Sequence, residues 1–101
     1  MPAPTTVIVV LTPLAGRTDD VIEAMNSEIE EILRADGCEL YDMFERVDGS
    51  VILIERWRDR EAWQAHFETP AIMRLKDALT PLLATPAERW EMYGEGEIPL
   101  R

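Results

Sequence analysis

The sequence predicts an α+β domain of the order β-α-β-β-α-β, built as a four-stranded antiparallel sheet with its helices on one face. Three observations predict it. Two β-branched runs, at residues 6–12 and 50–58, have the length and chemistry of strands. Two other stretches repeat apolar residues at helical spacing. An Asp48-Gly49 pair lies between two strand-like runs, which is the strongest short hairpin signal in the chain.

The elements follow in order. The first strand ends at Pro13, and Gly16 turns the chain. Thr18-Asp19-Asp20 offers N-capping residues for a helix whose apolar face is Val21, Ile22, Met25, Ile29, Ile32 and Leu33. Asp36-Gly37 ends it, because glycine tolerates a left-handed cap. Residues 38–46 and 50–58 then form the hairpin. Asp59 caps a short helix with Ala62, Trp63, His66 and Phe67 on one face. Thr69-Pro70 restarts it, with the proline in the first turn, where a missing N–H costs nothing. Ile72, Leu75, Leu79, Leu82 and Leu83 continue the apolar stripe past a break at Pro81, and Thr85-Pro86 introduces a last strand through Tyr93.

One hairpin and two crossovers in this order match the ferredoxin-like arrangement. Such a sheet leaves one face bare, and a bare face reads polar at alternate positions. Here both sides are apolar: Val7, Val9 and Leu11 against Ile8 and Val10, and Val51, Leu53 and Trp57 against Ile52 and Ile54. A face of that kind marks an interface. A second copy laid sheet to sheet covers it most simply, so a homodimer is expected, with residues 94–101 as a tail that can reach the partner.

The 101 residues have room for one core, so a single domain spanning 1–101 is expected, with its body at about 6–93. Twenty acids against ten bases give a net charge of −10. That surface repels phosphate backbones, and no basic, aromatic-interleaved stripe offsets it, so nucleic acid is a poor partner. No apolar run approaches the length of a membrane span, and the first residues have neither a basic start nor a signal-peptide core. One cysteine cannot form an internal disulfide, in keeping with a cytoplasmic protein. A phosphate-binding glycine loop, a dinucleotide fingerprint and zinc-ligand spacing are all missing, so no metal or organic cofactor is expected.

The chemistry concentrates in one stretch, Ile54-Glu55-Arg56-Trp57 followed by Asp59, Ala62-Trp63 and Ala65-His66-Phe67. Glu55 shares its strand face with Leu53 and Trp57. Its carboxylate is either paired with Arg56 or Arg58 at a strand end or lines a cavity. His66 falls on the helix face that meets the sheet, as either a hydrogen-bonded core residue or a base. The aromatic side chains are equally compatible with a plain core.

That stretch resembles the Glu-Arg-Trp…Ala-x-x-x-His signature of the antibiotic biosynthesis monooxygenase family, which includes quinol monooxygenases. Gly37-Cys38 before the second strand and Thr69-Pro70 fit the same pattern, and the likeness covers about residues 6–93. Ala35-Asp36 stands where many members carry Glu-Pro. The resemblance implies a dimeric α+β barrel that oxygenates a small aromatic phenol, anthrone or quinol, as in polyketide tailoring, with dioxygen as co-substrate and no flavin, haem or metal. A haem-degrading branch uses an asparagine on the first strand, which this chain lacks. The implied roles are His66 as base and Glu55 as its orienting partner. Trp57, Trp63 and Phe67 would supply stacking surface, Tyr41 or Arg56 a donor to oxygen, and Asn26 an outlying contact. The same scaffold hosts cyclases and isomerases, and non-catalytic ligand-binding dimers, so those readings stay open at the level of sequence.

Overall fold

Period-two alternation along the strands decides which side chains enter the core. In the computed structural model, which describes residues 4–93, β1 (Thr5–Leu11) and β3 (Val51–Trp57) alternate strictly between buried and half-buried positions. They pair antiparallel at the centre of a four-stranded sheet of order β2-β3-β1-β4, with β2 (Cys38–Glu45) and β4 (Glu88–Tyr93) at the edges. This is the ferredoxin-like order. Residues 94–101, expected as a tail toward a partner, lie outside the described residues.

One face of the sheet carries every helix. From α1 (Thr18–Leu33) come Val21, Met25 and Ile32; from α2 (Arg60–His66), Ala62 and Trp63; from α3 (Pro70–Leu79), Ala71, Leu75 and Leu79. These pack with Val7, Val9, Leu11, Val51, Leu53 and Trp57 into one apolar core. The helical stripe continues through a short 3₁₀ turn, Thr80–Leu82, at the expected Pro81 break.

The local signals behave as their chemistry requires, with one exception. Asp59 accepts from the Ala62 N–H and caps α2, and the Thr69 hydroxyl caps α3 ahead of Pro70. Gly49 has φ +90° in the hairpin turn, with its N–H donating to Arg46 O. Thr18-Asp19-Asp20 does not cap α1. The N-cap is Arg17 without a side-chain bond, and the Thr18 hydroxyl instead donates to Gly49 O at 2.8 Å, tying the helix start to the hairpin. Gly37 is required twice over. Its φ is +84°, and a Cβ there would sit 2.5 Å from that of Ala62, so only glycine lets α2 settle against the start of β2.

Among the described residues, the other face has no helix. Ile8, Val10, Ile52 and Ile54 are half-buried there, and Phe44, Trp90 and Met92 are exposed. The register gathers them into one patch, with Ile8 beside both Ile54 and Trp90, and Ile52 beside both Val10 and Phe44. No helix among the described residues is long and apolar enough to cross a membrane.

Candidate active site

Two short-range rules place the central residues. Alternation puts Glu55 and Trp57 together on the inner face of β3. Three-residue helical spacing then puts Trp63 and His66 on the buried side of α2, above that strand. Both titratable groups are removed from water, Glu55 at 3% and His66 at 4% exposure.

Each has a defined partner. The Trp57 indole N–H donates to Glu55 Oε1 at 3.0 Å. The rings of Trp57 and His66 lie 4.4 Å apart at 32°, and the Phe67 ring lies 4.4 Å from the imidazole at 42°. His66 Nδ1 is hydrogen-bonded to the Trp63 carbonyl oxygen. A carbonyl only accepts, so Nδ1 carries the proton in the neutral ring, which leaves the Nε2 lone pair as the basic site.

Burial sets the protonation of all three polar groups. Desolvation lowers the pKa of His66, a trend opposed by the Trp63 carbonyl and reinforced by the positive Arg89. Desolvation raises Glu55 to about 7, against the pull of Trp57, Arg89 and Tyr41. Tyr41, opposite Glu55 in the β2–β3 register, is pushed well above the ordinary phenol range by burial and then by the Glu55 charge. Near neutrality these shifts favour a neutral imidazole and an un-ionised phenol and bring the Glu55 carboxyl into the range where it titrates.

These groups border a cavity of about 1030 Å³ between the sheet and the helices. Leu11, Met25, Leu53, Ile72, Leu75 and Leu79 make its walls largely apolar, and Tyr41, Glu55, Trp63, His66 and Phe67 line it. The segment from Leu83 to Ala87 closes one side. It is held there by the Leu14 N–H on Leu82 O and the Ala84 N–H on Thr12 O, both at 2.8 Å.

Not every residue singled out from sequence belongs to this assembly. Trp57 lies beneath the cavity as a fully buried support for Glu55 and His66. Arg56 alternates onto the other face and pairs with Glu39 at 3.2 Å, away from any substrate oxygen in the cavity. Asn26 is exposed on α1 and is not in the lining, since the position after Met25 has already rotated off the buried face. The ion pair considered for Glu55 is not formed either: Arg58 pairs with Asp36 and Asp59. The imidazole is oriented by the Trp63 carbonyl, and Glu55 reaches it only through the Trp57 indole.

Arg89 was not anticipated. It lies on β4 opposite Val9 and borders the cavity, with its guanidinium carbon 5.3 Å from the centre of the Phe67 ring. Its position opposite an inward-pointing valine is the only signal that could have marked it. Among the described residues, no three His, Cys, Asp or Glu side chains gather as a metal-ligand cluster.

Residues 4–78 match the family model described as antibiotic biosynthesis monooxygenase. A Mycobacterium tuberculosis protein named "Putative monooxygenase Rv0793" is 29% identical over 87 residues, which cover 85% of this chain and 86% of that one. The solved structure of Rv0793 superimposes with a TM-score of 0.86 at 26% identity, covering 96% of this chain and all of the other. The structure of PA3566 from Pseudomonas aeruginosa, 22% identical with a TM-score of 0.84 over 95% of this chain and 98% of its own, shares the fold.

Proposed function

Since the chain belongs to the antibiotic biosynthesis monooxygenase family, we propose that it oxygenates a small aromatic phenol, anthrone or quinol without a prosthetic group. The observation that carries this reading is His66, a buried neutral imidazole with Nδ1 committed to the Trp63 carbonyl and Nε2 left as a base beside an apolar cavity.

The chemistry needs little else from the protein. Nε2 takes a proton from the substrate, which leaves an electron-rich anion. The anion gives one electron to dioxygen, and the two radicals combine with formation of a C–O bond. The resulting peroxide anion takes back the proton held on Nε2, and the hydroperoxide then loses water. Its O–O bond breaks, the hydrogen on the oxygenated carbon leaves with the departing hydroxide, and a carbonyl remains. One oxygen atom ends in the product and one in water, and the substrate supplies all four electrons. Apolar walls keep solvent from the peroxide. The un-ionised Tyr41 hydroxyl and Arg89 are donors that can steady charge developing on oxygen.

The working unit in this reading is a homodimer. The apolar patch of Ile8, Ile52, Ile54, Phe44, Trp90 and Met92 is not covered by any helix among the described residues, and a second sheet is its natural complement. Sedimentation at micromolar concentration is expected to give about twice the 11.5 kDa chain mass, and a stable monomer would contradict it.

Activity is tested by oxygen uptake with a dihydroxynaphthalene or an anthrone, in the presence of a chelator. Wild-type protein should consume oxygen undiminished. His66→Ala and His66→Gln should both lose roughly a hundredfold or more in kcat with little change in KM. Full turnover in folded His66→Gln protein would remove His66 from the mechanism. A buried histidine with only a packing role would lower the melting temperature and leave turnover per folded molecule intact.

A further inference from the structure

The charges around the cavity carry information that its apolar walls do not. The chain is strongly acidic, and nearly every cation is already matched. Among the described residues, every lysine and arginine except Arg89 and Lys76 has a carboxylate oxygen within 4.0 Å. Both exceptions border the apolar cavity between the sheet and the helices, Arg89 from β4 and Lys76 from α3. Among the described residues, the two cations with no carboxylate oxygen within 4.0 Å share one opening, and Arg89 feels the buried Glu55 only through longer-range charge, which is a specific arrangement.

We propose that the cavity selects a flat aromatic ligand bearing a carboxylate, with the guanidinium of Arg89 as its principal anchor and Lys76 adding charge from the rim. This rests on the reading of the cavity as an aromatic substrate pocket and names the substrate class within it. Arg89 suits the part. Its guanidinium can bind a carboxylate through two parallel N–H donors, and its place over Phe67 holds it beside the ring that would stack on the ligand.

The acidic groups nearby do not cancel it. Glu55 is the buried carboxyl of the cavity and its charge acts on Arg89, but it makes no ion pair with Arg89 within 4.0 Å. One of its oxygens accepts from the Trp57 indole, and burial raises its pKa to about 7, which weakens its pull near neutrality. Asp77 borders the opening beside Lys76 in sequence and offsets part of that lysine's field, which leaves the selection mainly to Arg89. The overall charge of −10 disfavours anions at long range. That field is screened beyond about 8 Å at physiological salt, so local cations decide whether an anion stays.

Calorimetric titration at pH 7.5 with 2-naphthoic acid and with 2-naphthol tests this, since the two share a ring and differ in charge. The acid is expected to bind roughly tenfold more tightly at low salt, with the preference shrinking as salt rises. In Arg89→Gln the ratio of the two affinities should fall to about one, Arg89→Lys should keep part of it, and Lys76→Gln should lower it less. Equal affinity in the wild type, or a ratio unchanged in Arg89→Gln, overturns the inference while the aromatic pocket stands. Selective binding of the acid without oxygen uptake by any phenol overturns the oxygenase reading alone. Binding of neither compound overturns both.

Discussion

The two faces of the sheet are made of nearly the same residues and do opposite things. On the inner face, Val7, Val9, Leu53 and their neighbours are sealed by three helices, and the polar groups admitted there, Glu55, Tyr41 and His66, are held among aromatic rings and hydrogen bonds. On the outer face, Ile8, Val10, Ile52 and Ile54 are just as apolar, yet no helix among the described residues covers them, and Phe44 and Trp90 are more than half exposed. Apolarity by itself therefore does not define the site. The inner face becomes a candidate for chemistry because titratable groups are desolvated there; the outer face, whose charged residues Asp42, Arg56 and Glu88 are not buried, is suited to assembly.

Substitutions on each face should fail in different ways. The largest effect is expected from Trp57→Ala on the inner face. It removes a fully buried indole and strands the Glu55 carboxyl without its donor, so the loss should reach about 3–5 kcal/mol of folding stability. Chemical denaturation would measure it, and a cost under about 1 kcal/mol would mean that the indole does not hold the inner face together.

On the outer face, Ile54→Asp should leave the fold intact and abolish the dimer. Each protomer would bring a charge into the sheet-to-sheet contact, a penalty of several kcal/mol when unpaired. Sedimentation should show a single-chain mass together with a normal melting curve at pH 7. A dimer that survives this change must be built on another surface.

A smaller effect separates the faces by pH. The folded chain holds the Glu55 proton more tightly than the unfolded chain, because its pKa rises from 4.5 to about 7. Its contribution to stability is complete below pH 4.5 and is lost as pH rises through about 7. His66 has the opposite sign: its pKa is lowered from 6.5, so stability is lost as pH falls below that value. Glu55→Gln should therefore be more stable than wild type at pH 8, by on the order of 2 kcal/mol, with the gap closing toward pH 5. No outer-face substitution should change this profile. A gap that stays constant with pH would show that Glu55 ionises normally in the folded chain.

The comparison also explains what could be read in the sequence. Strand alternation and helical spacing are local, and they were enough for the sheet, the helices and the restart at Thr69-Pro70. The meeting of Glu55, Trp57, Trp63 and His66 was legible for the same reason, since one strand, one turn and one short helix bring them together. Period-two alternation also puts Arg56 on the other face from Glu55, although the two are adjacent in the motif. Arg89 was not legible, because β4 is an exposed edge strand whose polar sequence does not say which side faces a cavity formed by three other elements. The same holds for the Thr18 hydroxyl, whose partner Gly49 is remote in sequence.

The proposed chemistry depends on the state of His66, and because it is the chain's single histidine, that state is directly observable. Nitrogen-15 NMR of the imidazole across a pH titration reports both the tautomer and the pKa. The expected result at pH 7 is a neutral ring protonated on Nδ1, with an unprotonated Nε2 and a midpoint below 6.5. A ring that is protonated at pH 7, or a neutral ring carrying its proton on Nε2, would leave no base facing the cavity and would contradict the mechanism.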